Sequence, residues 1–63
     1  MKSPFKKGTE FISIYDVEAK LIQTKEVPGL GLHYRLEILD GLNKGAKVWY
    51  DEKNLNNLFK IKN

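Results

Sequence analysis

Residues 33–50 read HYRLEILDGLNKGAKVWY, two alternating apolar and polar runs on either side of a glycine-bounded turn. In the first run Tyr34, Leu36 and Ile38 oppose His33, Arg35 and Glu37; in the second Ala46, Val48 and Tyr50 oppose Lys47 and Trp49. A period of two marks a half-buried strand, and a cluster such as DGLNKG between two such runs joins them as a hairpin. A slip of one residue would turn every inward side chain outward, so the apolar pattern limits the pairing. Setting Ile38 against Ala46 puts Leu36 opposite Val48 and Tyr34 opposite Tyr50 on the inner face. Outside, Glu37 then meets Lys47, Arg35 meets Trp49 and His33 meets Asp51. Each such pair is worth about 0.2–1 kcal/mol.

The pattern extends upstream. VEAKLIQTKEV (residues 17–27) alternates as a strand, and TEFISIYD (residues 9–16) is rich in β-favouring Phe, Ile and Tyr. Pro28-Gly29 is the pair a type II turn wants. Pairing Val27 with Leu30 across it sets Leu21 against Leu36 and Ala19 against Ile38, all inward. Outward, three rows form: Lys20, Glu37 and Lys47; Ile22, Arg35 and Trp49; Thr24, His33 and Asp51. Downstream, Asp51 stands where a helix N-cap should, before a short helical turn carrying Leu55, Leu58 and Phe59, with a brief last strand over 59–62. Leu30, Leu32 and Leu42, in or beside loops, are expected to plug the ends of the domain.

The chain has 63 residues, enough for one domain near the lower limit for independent folding. A flexible basic tail is expected over 1–7 and a single small β domain over 8–63. There is no cysteine, which removes disulfides and thiolate metal sites, and a single histidine leaves little for zinc. No apolar run approaches the ~18–20 residues that span a membrane, and a cytoplasmic location is expected. Of eleven basic residues, Lys2, Lys6 and Lys7 lie at one end and Lys53, Lys60 and Lys62 at the other; the remaining five face all eight acids in the middle. The Lys-, Asn- and Ile-rich composition is of the kind an AT-rich genome encodes, such as that of a phage or low-GC bacterium.

A short strand, a long hairpin, a second hairpin and then KVWYDEKNLNNLFKI (residues 47–61) resemble small SH3-like barrels of the Tudor and KOW sort over residues 8–62. The resemblance is to the fold. It implies a five-stranded barrel, or a curved antiparallel sheet, closed by one helical turn and a last short strand. It also implies a binding module whose chain ends lie together, and NKGAKVW loosely echoes the KOW signature.

No catalytic constellation emerges. Thr24, His33 and Asp51 share a row, but no pocket or oxyanion donors accompany them, so an enzyme is not expected. No metal or cofactor is implied either. The lone tryptophan beside the lone arginine is the sharpest signal, because Trp and Arg dominate binding hot spots. Ile22, Arg35, Trp49, Lys47 and Lys20 are therefore the candidate partner-binding residues, with Trp49 as a mere strand staple, or covered by Phe5, the bland alternative. The function expected is that of a small protein-interaction modulator or inhibitor, of a type a phage directs at a host enzyme. A nucleic-acid binder would instead use Lys2, Lys6, Lys7, Lys53, Lys60 and Lys62, with Trp49 stacking on bases. A structural subunit pairing its edges is the third reading, and a monomer or small homo-oligomer fits all three.

Overall fold

The computed structural model describes residues 5–62. Five strands and one helix follow in order: β1 (Glu10–Ser13), β2 (Glu18–Val27), β3 (Gly31–Ile38), β4 (Lys47–Asp51), α1 (Glu52–Leu58) and β5 (Phe59–Ile61). They form one antiparallel sheet in the order β4-β3-β2-β1-β5. The sheet is curved but open: β4 and β5 are its two edges and do not pair, so the barrel form anticipated as one option is not reached. The first and last strands do pair, with Phe11 opposite Ile61.

Inward residues of the three inner strands make the core, with Tyr34, Phe11, Leu21 and Leu36 essentially sealed. Helix α1 adds Leu55, and Phe5 packs edge-on against Phe11 and Tyr34 at ring distances of 5.1 and 5.8 Å. Phe5 is thus committed to the inner face, away from Trp49. Residues 1–4 of the expected tail lie outside the described residues.

The β3–β4 register is the one the alternation dictates, from Glu37 opposite Lys47 to His33 opposite Asp51. Its turn ends in a glycine bulge: Ile38 N donates to Ala46 O and Gly45 N donates to Ile38 O, both at 2.8 Å. Gly45 has φ +91, a left-handed conformation that glycine adopts without a Cβ penalty.

The β2–β3 hairpin departs from expectation. Near the sheet centre Leu21 meets Leu36 and Ala19 meets Ile38 as anticipated, but at the far end Val27 meets Gly31 and not Leu30. Leu30 N bonds Val27 O at 2.9 Å and Gly29 has φ +82, which is the type II geometry of Pro28-Gly29. The twist of that turn does not suit a two-residue hairpin, so the loop takes three residues and the register moves by one. A bulge between Leu21 and Gln23 absorbs the difference, with Ile22 as the extra residue. Gln23, not Ile22, therefore lies opposite Arg35, and Lys25, not Thr24, lies opposite His33.

Two further expectations are corrected. Leu32 is buried, but Leu30 and Leu42 are exposed and plug nothing, the latter at 105% relative exposure. Val48 faces inward yet stays 37% exposed, because β4 is an edge with no strand beyond it. Only Tyr50, at the helix end of β4, finds cover, packing 5.2 Å from the Phe59 ring.

Candidate functional site

The outer surface of β2, β3 and β4 is where the register gathers the candidate side chains. Arg35 and Trp49 lie directly opposite each other, and the guanidinium carbon sits 5.7 Å from the centre of the indole. Trp49 remains 40% exposed, so the stacking does not hide it. Arg35 is half-buried, and its Nε is shielded from solvent with no hydrogen-bond partner among the described residues. Its cross-strand neighbours, Trp49 and Gln23, bring no opposing charge. Ile22 is half-buried at the bulge, one position out of the row in which it was expected. Gln23 takes that place, a residue the plain alternation could not single out.

Beside this pair runs a charge ladder. Lys47, Glu37, Lys20 and Glu10 lie opposite one another in turn across four strands. Lys62 ends the row just past the end of β5: its backbone N donates to Glu10 O at 3.0 Å, and its Nζ stands 3.9 Å from the Glu10 carboxylate. The same Nζ donates to Glu18 Oε1 at 2.7 Å, and that hydrogen bond raises the Lys62 pKa above its ordinary 10.5. Partial desolvation works against the rise; attraction to Glu18, Glu10 and Asp40 adds to it. Signs alternate along the whole row, which makes it a balanced surface.

Of the third expected row, His33 and Asp51 lie opposite each other as anticipated, but Thr24 does not join them. The bulge sets Thr24 opposite Tyr34. His33 Nδ1 lies 3.2 Å from Gly31 O, and the Asp51 carboxylate accepts from Asn54 N at 2.7 Å as the cap of α1. Among the described residues no cluster of three or more His, Cys, Asp or Glu side chains is placed to hold a metal ion. No helix among them is long and apolar enough to cross a membrane.

The basic groups of the nucleic-acid alternative are spread. Lys2 lies outside the described residues; Lys6, Lys7, Lys53 and Lys60 are exposed. Lys60 and Lys62 border β5 at one edge of the sheet, whereas Trp49 is on β4 at the other. A second surface feature, unmarked in the sequence, is a cleft of about 160 Å³ lined by Tyr15, Val17, Ile38, Leu42, Leu58 and Phe59 among others. It forms where three connections meet at one end of the sheet, which no local pattern announces. Comparison with family models, with curated proteins and with solved structures finds no match for this chain.

Proposed function

We propose that this chain is a non-enzymatic binding module that docks a protein partner on the outer face of β2, β3 and β4, as a small modulator or inhibitor. The observation that carries the reading is the exposed Trp49 stacked on Arg35. The indole offers a large apolar contact at low entropic cost, and the arginine offers planar donors with no acidic neighbour opposite it. Docking would remove both from water together, the condition under which such pairs contribute most. A partner surface with an apolar contact beside a carboxylate or carbonyl acceptor suits this pair. Lys20 and Lys47, each opposite Glu37, would form the polar rim.

The charge ladder favours protein over nucleic acid, because a phosphate backbone needs a stripe of one sign. Here the basic positions of the row alternate with Glu37 and Glu10. The test is capture from an extract of the native host with wild type, Arg35→Ala and Trp49→Ala, each checked for folding. Loss of one specific protein in both variants is expected. Titration of Trp49 fluorescence with single-stranded and duplex oligonucleotides should show no salt-sensitive binding; such binding would replace this reading.

A further inference from the structure

We propose that two copies of the chain pair antiparallel through the open edge of β4, with Trp49 facing its own counterpart. The phase of the β3–β4 ladder shows which backbone groups are free to do so. The hydrogen-bonded position at Ile38, with Ala46 and Gly45, makes Leu36–Val48 and Tyr34–Tyr50 the next bonded pairs, since such pairs alternate along an antiparallel ladder. The N–H and C=O of Lys47 and Trp49, and the N–H of Asp51, therefore point away from β3 into the open edge. The side chains of these three residues stand on the outer face, with Val48 and Tyr50 on the inner one.

A twofold axis through this edge must set outward-pointing residues against each other, which leaves few registers. With Trp49 opposite Trp49, Lys47 of each copy lies opposite Asp51 of the other, and Val48 opposite Tyr50. Each cross-strand position is then complementary: two opposite-charge pairs flank an aromatic pair, over two apolar pairs on the inner face. The charge ladder also keeps its alternation across the junction, running Asp51, Lys47, Glu37, Lys20, Glu10 and Lys62. Sliding by one step to put Lys47 opposite Trp49 would leave Asp51 facing Gly45, with no charge to meet it. The edge also carries the half-covered Val48 and Trp49, which a neighbouring strand would shield. β4 holds no proline and no inward-pointing charge; its one edge lysine, Lys47, is the residue this register sets against Asp51, and the shortness of the strand keeps the pairing weak.

The consequence for binding follows from the geometry. The two outer faces become continuous, so the Arg35–Trp49 pairs of both copies stand side by side as one site twice as wide. That consequence rests on the partner-binding reading; the dimer itself does not.

Sedimentation equilibrium of the purified chain over a wide concentration range is expected to show a reversible monomer–dimer transition, weak because so short an edge buries little area. Amide hydrogen exchange read by NMR should show Trp49 and Asp51 becoming protected as concentration rises, while Val48 and Tyr50 are protected at every concentration. Lys47→Glu, which sets a carboxylate against Asp51 of the second copy, should weaken association at least tenfold; because Glu37 lies opposite Lys47 within the chain, the neutral Lys47→Gln, which should weaken association less while keeping the fold, accompanies it. Trp49→Pro removes an N–H that the β3 ladder does not use, and should give a folded monomer. Arg35→Ala should keep the dimer while losing the partner, which separates failure of this proposal from failure of the binding reading. A chain that stays monomeric at the highest concentration overturns the proposal. So does a dimer in which the Trp49 and Asp51 amides exchange as they do in the dilute chain, or capture of the edge by a different protein's strand in its place.

Discussion

The Arg35 guanidinium stacks on Trp49 across the β3–β4 pair, 5.7 Å from the ring centre, on the side of the sheet that faces away from the core. Because the indole rests on a neighbour yet stays 40% exposed, its removal separates binding from folding. Trp49→Ala should cost about 1 kcal/mol of stability, the worth of an exposed cation–π contact plus modest lost packing. Urea denaturation measures it. A loss several times larger would place the indole in the core, and the outer-face site would fall with it.

The opposite result is expected one layer in. Leu55 is the residue through which α1 enters the core, and it is 1% exposed. Leu→Ala at a sealed site costs about 2–5 kcal/mol, and a core of this size supplies only about 3–5 kcal/mol in total. Leu55→Ala should therefore remove most of the stability and leave a readily detected unfolded fraction at room temperature, read as a second, poorly dispersed set of amide NMR signals. A fully folded variant would mean that α1 is dispensable for closing the inner face.

Asp51 joins β4 to α1, and its carboxylate accepts from Asn54 N at 2.7 Å. Removing that acceptor leaves a helix N–H unmet, so Asp51→Ala should cost about 1 kcal/mol, whereas Asp51→Asn should keep most of the cap. The midpoint of urea unfolding should shift for alanine and barely move for asparagine. Equal shifts for the two would point to the charge and not the hydrogen bond.

What could be read from the residues depended on whether a pattern repeats. In β3 and β4 the inward pairs and the outward pairs support the same register, so Arg35 and Trp49 could be set together without coordinates. The bulge at Ile22 could not, because Ile22-Gln23-Thr24 contains no glycine or turn residue to mark a break; the cause lies in the Pro28-Gly29 turn at the far end of the hairpin. Alternation gave the direction of Val48 but not its exposure, which depends on whether another strand lies beyond β4. Leu30 and Leu42 sit in turns, where no period assigns a face, and both went to solvent. The Lys62–Glu18 contact joins residues 44 apart in sequence and exists only because β5 returns beside β1.

That contact gives the fold a pH dependence whose sign is determined. The Glu18 hydrogen bond holds the Lys62 pKa above the unfolded-chain value of 10.5, against partial desolvation and with help from the nearby carboxylates. A group whose pKa is raised by folding stabilises the folded state while it is protonated, so its contribution is whole below 10.5 and disappears as pH climbs through the higher folded value. The comparison with Lys62→Met isolates the pair. The gap in urea midpoint between the two proteins should be constant from neutral pH up to the ordinary lysine value and should shrink above it. Lys62 is exposed, so the gap itself should be small and should narrow further in high salt, as expected of a screened surface pair. A gap that stays level at alkaline pH would mean that Lys62 gains nothing from its charge in the folded chain, and that the β5 edge is held by its backbone bonds to β1 alone.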